Sequence, residues 1–171
     1  MATDRDQEFS AYVAAHRGRM VRIARLFTSG DAHWAEDLVQ TALTKLYLKW
    51  HRVSPELGPA RYADKILVNV FLDEKARFWR HRETLTDELS ESGPVPAGGA
   101  EDRMVMRTAL GRLPKRQRAA VALRFFCDLE VAVVAELMGC SEGTVKSQTA
   151  RGLDKLRDLI VDPTNDLENV R

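Results

Sequence analysis

Four polar side chains, Thr144, Ser147, Gln148 and Arg151, fall at i, i+3, i+4 and i+7. On a helix that spacing places them on one face. Amide and guanidinium groups hydrogen-bond base edges in a DNA groove, hydroxyls can do the same, and a neighbouring lysine such as Lys146 suits a backbone phosphate. The element that must aim them is legible in VAVVAELMGCSEGTVKSQTAR, residues 131–151. Ala135 is small where a first helix would meet a second. Gly139, four residues on, suits a left-handed turn. Ser141 is placed to N-cap the next helix, with Thr144 in its first turn, and Val145 then returns to the core. The segment is predicted to be a helix-turn-helix, whose second helix enters the DNA major groove. A plain helical hairpin would share the glycine but not the whole set in register.

Two other constellations carry polar chemistry. Asp37, Gln40, Thr41 and Thr44 also follow i, i+3, i+4 and i+7, a continuous polar stripe on a helix whose apolar stripe holds Trp34, Leu38 and Leu43. A solvated face shows the same pattern. Further on, DEKARFWRHR at 73–82 interleaves basic residues with Phe78 and Trp79. Such a mixture can hold phosphates and stack on bases. It is equally the cationic end of a helix, complementing the macrodipole, with Asp73 and Arg77 as an i,i+4 pair.

The elements behind these faces read as helical throughout. Phe9, Tyr12, Val13, Met20, Ile23 and Phe27 mark a first helix near 6–28, Gly30 ends it, and Asp31 can cap the next. Pro59 opens a third helix, expected to run to about Arg82. A second lobe begins near Asp102, with Pro114 starting a helix that carries Val121, Leu123 and Phe126. The helix-turn-helix follows and continues through Leu153, Leu156 and Leu159.

Charge divides the 171-residue chain in the same way. Residues 1–82 carry 14 Lys/Arg against 10 Asp/Glu, and residues 102–160 carry 11 against 7. Between them, ETLTDELSESGPVPAGGAE at 83–101 has 5 acids and no base, with Gly, Pro, Ser and Ala throughout. That composition is expected to form a flexible linker. The fold class is therefore all-α: two small helical domains, 1–82 and 102–162, a linker at 83–101 and a frayed tail at 163–171. No apolar run approaches the length of a membrane span, and MATDRDQEF lacks the apolar centre of a secretory signal, so a cytoplasmic location is expected. Cys127 and Cys140 form neither a metal-ligand spacing nor a disulfide framework.

Taken in order, AEDLVQTAL at 35–43, LVNVFLDEKAR at 67–77, LPKRQRAAVALRFF at 113–126 and GCSEGTVKSQTARGLDKLR at 139–157 resemble the extracytoplasmic-function (ECF) group of sigma-70-type RNA polymerase sigma factors. The resemblance runs from about Phe9 to Leu159. It implies sigma region 2 in the first domain and region 4 in the second. The DLVQ segment resembles the face that docks on core RNA polymerase, which gives Glu36, Asp37, Gln40 and Thr41 a partner. Asn69 matches the asparagine near the pocket for an unstacked −10 base, and Asp73 keeps the N-x-x-x-D spacing. Lys75, Arg77, Arg80 and Arg82 would hold phosphates of the melted strand. Lys146, Ser147 and Arg151 match positions that meet the −35 element, with Thr144 and Gln148 on the same recognition helix. The resemblance implies core polymerase and promoter DNA as partners, with room for an anti-sigma factor.

Ala150 departs from relatives that place a larger side chain there, and HRVSPELGPARY lacks a clear match, so the −35 and −10 sequences read stay open. A helix-turn-helix regulator acting without polymerase would explain the second domain but leave 35–50 and 67–82 without a task. Nothing points to an enzyme: there is no Gly-rich phosphate loop, no metal cluster, and His16, His33, His51 and His81 form no catalytic set. No cofactor, small-molecule substrate or membrane contact is expected.

Overall fold

The computed structural model describes residues 4–53, 58–73 and 99–161, and every regular element among them is helical. The chain divides into two compact units: Met1–Arg25 with Asp31–Gly93, and Leu26–Gly30 with Pro94–Arg171.

The first unit is built on α1 (Asp4–Phe27, all but its last two residues), α2 (Ala32–Lys49), a 3-10 turn (Trp50–Arg52) and α3 (Pro59–Asp73). The Asp31 side chain caps α2 by accepting the Trp34 N–H at 2.8 Å. Ala35, Leu38, Val39, Ala42, Leu43 and Leu46 then recur at helical spacing and are buried. α3 answers with Leu67, Val68 and Phe71. The expected stretch of the third helix beyond Asp73 lies outside the described residues, as does most of the expected linker.

The second unit comprises α4 (Ala100–Gly111), α5 (Lys115–Val121), a π-helical turn (Ala122–Phe126), α6 (Val131–Met138) and α7 (Glu142–Val161). α4 begins at Ala100, slightly before the expected Asp102, because Glu101 and Asp102 both favour a first turn. Ala109, Leu110, Leu113, Val121 and Leu156 form one core cluster, with Met106, Phe126, Leu153 and Leu159 packed against it. α5 and α7 meet closely. A Cβ on Gly152 would lie 2.7 Å from Val121 Cγ2, so this crossing admits only glycine without a shift.

Candidate functional site

The recognition face is set by a short run of local bonds. α6 ends with Gly139 at φ 62°, in the left-handed region. The Cys140 N–H donates to the Ala135 carbonyl at 3.0 Å and the Gly139 N–H to the Glu136 carbonyl at 3.3 Å. These two bonds form a Schellman closure, which satisfies the carbonyls left open at a helix end. Ser141 Oγ then accepts the Thr144 N–H at 3.1 Å and starts α7. Val145 is fully buried and Ala135 nearly so, which anchors α7 against α6.

With that frame in place, Lys146, Ser147 and Arg151 are exposed on α7, and Thr144 and Gln148 are half-buried. Ser147 Oγ donates to the Thr144 carbonyl at 3.0 Å, so it is left to act towards a ligand as an acceptor. Thr144 Oγ1 lies 2.9 Å from Ser141 Oγ and belongs to the cap as much as to the face. Among the described residues neither Lys146 nor Arg151 has an ion-pair partner, so both charges are open to an anion.

In the first unit, Asp37, Gln40 and Thr44 are exposed on α2, whereas Glu36 and Thr41 are half-buried. The polar stripe is narrower than the spacing alone suggests. Thr41 lies on the seam with the apolar face, about 20° around the helix from Trp34. Glu36 is joined by Arg17 of α1 in an ion pair, so α1 borders this face. Thr44 Oγ1 donates to the Gln40 carbonyl at 2.8 Å.

Asn69 is half-buried on α3, and Asp73, one turn on, is exposed. Lys75, Arg77, Arg80 and Arg82 lie outside the described residues.

Sequence reasoning missed the groups that hold these faces. Arg19 of α1 donates two hydrogen bonds to the Asp64 carboxylate, at 2.6 and 2.8 Å. Tyr12, buried beside them, donates to the Pro59 carbonyl at 3.3 Å. Burial, and after it the Asp64 charge, push the Tyr12 phenol up to about 12. At the other end of α1, the Tyr47 hydroxyl donates to Asp6 at 2.6 Å, and the Arg5 guanidinium sits 4.7 Å over the Tyr47 ring. The hydrogen bond to Asp6 raises the Tyr47 pKa. In the second unit, Arg118 is buried and donates to the Gly111 and Leu113 carbonyls at 2.7 and 3.1 Å. The signal that could have found Asp64 is its place at i, i+3, i+4, i+7 with Leu67, Val68 and Phe71, an acid where the pattern calls for an apolar residue.

The sigma-70 region 2 family matches residues 5–88 and the sigma-70 region 4 family matches residues 103–156. The RNA polymerase sigma-E factor of Streptomyces coelicolor is 34% identical over 158 residues, which cover 90% of this chain and 86% of that protein. The ECF RNA polymerase sigma factor SigM of Mycobacterium tuberculosis is 31% identical over 154 residues, covering 89% and 76%. The chain belongs to the sigma-70 family, in its ECF group. It is an RNA polymerase sigma factor, which directs core polymerase to promoters at transcription initiation.

Two solved structures share the fold. The sigma factor RpoE in complex with the anti-sigma factor NepR from Bartonella quintana aligns with a TM-score of 0.68 at 24% identity, over 96% of this chain and 99% of that one. CnrH in complex with the cytosolic domain of CnrY gives 0.63 at 18% identity, over 91% and 88%. The match to region 2 accounts for the residues that a lone helix-turn-helix regulator leaves unassigned. Among the described residues no helix is long and apolar enough to cross a membrane.

Proposed function

We propose that this sigma factor divides its task between α2 and α3, in a region 2 domain spanning 1–82, and α7, in a region 4 domain spanning 102–162. Residues 83–101 link the two and 163–171 form a tail. Asp37 and Gln40, with Glu36 and Thr41 at the margin, dock on core polymerase. Asn69 receives an unstacked base of the −10 element, offering both a donor and an acceptor to its edge. Lys75, Arg77, Arg80 and Arg82 are assigned to phosphates of the melted strand. On α7, Arg151 and Gln148 read −35 base edges, Ser147 accepts from them, Lys146 holds a phosphate, and Thr144 contributes to both cap and contact. The protein works in the cytoplasm as an adapter, with no catalytic step of its own. An anti-sigma factor, as found on RpoE, is a further partner in this reading.

The observation that carries the −35 assignment is the pair of open cations, Lys146 and Arg151, on a helix whose start is fixed by the Gly139 turn and the Ser141 cap. The test separates their roles. Arg151→Ala should cost about 1–3 kcal/mol of promoter affinity and relax the preference at one base pair. Lys146→Ala should weaken all sequences alike and flatten the salt dependence. Unchanged promoter affinity in Arg151→Ala would remove the assignment.

A further inference from the structure

α3 carries a charge where its core stripe calls for an apolar side chain. Leu67, Val68 and Phe71 are fully buried, and Asp64, which opens the same stripe, is only 8% exposed. Arg19 meets it with two parallel bonds, Nη1 to Oδ1 at 2.6 Å and Nη2 to Oδ2 at 2.8 Å. A bidentate pair of this kind fixes the plane of the carboxylate as well as its distance. Seven residues earlier, on the same face of α1, Tyr12 donates to the Pro59 carbonyl at the first residue of α3. Two side chains two turns apart on α1 thus hold two points one and a half turns apart on α3.

The Asp64 end of the pair is buried while the Arg19 side chain stays 41% exposed, so desolvation of the carboxylate and solvent screening both offset part of the attraction. What the pair adds is direction. The packing of Leu67, Val68 and Phe71 holds α3 by shape, and the two-bond fork adds a directional constraint that apolar contact does not carry. Asn69 lies five residues after Asp64, about 140° around the helix. A rotation of α3 by about 20° would move a side-chain tip at a radius of about 5–6 Å by about 2 Å. That displacement is enough to break a hydrogen bond to a base.

We propose that the Arg19–Asp64 fork, backed by Tyr12 on Pro59, sets the rotation of α3 and so aims Asn69 at the unstacked base; Arg19 and Asp64 are positioning residues for promoter melting. This rests on the role given to Asn69 above.

The test is a double-mutant cycle in holoenzyme assembled from the full chain and core polymerase, on a linear template selected with the unmodified holoenzyme. The readouts are permanganate reactivity of −10 thymines and affinity for core. Asp64→Asn and Asn69→Ala should each lower reactivity about tenfold, in line with the loss of one charge-assisted or base-edge hydrogen bond. Because Asp64 acts through Asn69, the double variant should be no worse than Asn69→Ala alone. Core affinity should stay unchanged. Arg19→Lys keeps the charge and removes the fork, and should lower reactivity in the same way; it carries the test if Asp64→Asn does not fold. Normal melting in both Arg19→Lys and Asp64→Asn, or a further about tenfold loss in the double variant, would overturn the positioning role while leaving Asn69 in place. Normal melting in Asn69→Ala would overturn the role of Asn69 itself, and the inference with it.

Discussion

In the helix-turn-helix, the bonds of the turn that aims the contact face join residues at most five apart: Cys140 to Ala135, Gly139 to Glu136, Thr144 to Ser141. In the first unit the corresponding bonds span most of the domain. Arg19 reaches Asp64 across 45 residues, Tyr12 reaches Pro59 across 47, and Tyr47 reaches Asp6 across 41. One surface is positioned by turn chemistry and the other by long-range side chains. The first should tolerate change elsewhere in the chain, and the second should fail when a distant partner is altered.

The sharpest way to break this comparison is to collapse one unit and ask about the other. Phe71 is fully buried in the first unit. Phe71→Ala should cost about 3–5 kcal/mol, by lost burial and an unfilled cavity. Thermal melting followed by circular dichroism should show the loss. Binding to core polymerase should fall with it, while affinity for a −35 duplex should persist.

Next in size is Gly152→Ala, which tests the second unit where its support is not local. The added methyl would meet Val121 Cγ2 at 2.7 Å, against a β-branched side chain on α5. Overpacking of this kind costs about 1–3 kcal/mol. Chemical denaturation should read the loss, and −35 affinity should weaken because α7 is displaced.

Alkaline pH probes the long-range network of the first unit. The folded Tyr12 phenol is raised to about 12 from its ordinary value of 10.0. The fold therefore favours the neutral phenol. Its contribution is fully present below pH 10 and is lost as pH rises from there through about 12. Wild-type stability should drop across that window by up to about 2 kcal/mol more than that of Tyr12→Phe, measured by urea unfolding at each pH. Equal pH profiles would mean that Tyr12 is not held as described.

Ser141→Ala removes the side-chain cap of α7 and should cost about 1 kcal/mol. The same loss should appear in −35 affinity and leave core binding alone. A matching loss in core binding would contradict the local character of this surface.

The contrast also explains what was legible in the sequence. Gly139, Ser141 and Val145 could be read because each acts within a turn or two of its own position. Asp31 as the cap of α2 was legible for the same reason. The apolar stripe of α2 followed from helical periodicity. Arg17 beside Glu36, and Arg19 on Asp64, were not legible, because no spacing within one helix says which distant side chain will meet it. Gly152 escaped because a glycine inside a helix reads as a weakness until the neighbouring helix is seen. Thr41 was placed on an open stripe, yet the width of the apolar face puts it on the seam.

α2 and α7 divide the labour of polymerase docking and promoter reading in the proposed function. That division is tested most directly by titrating labelled full-length chain with core polymerase in the absence of DNA. Asp37→Ala and Gln40→Ala, both at exposed positions, should shift stability by no more than about 0.5 kcal/mol. Combined, they should weaken core affinity by about tenfold or more, whereas Arg151→Ala should bind core as the wild type does. Wild-type core affinity in the α2 double variant, or an equal loss in Arg151→Ala, would contradict the assignment of α2 as the docking face.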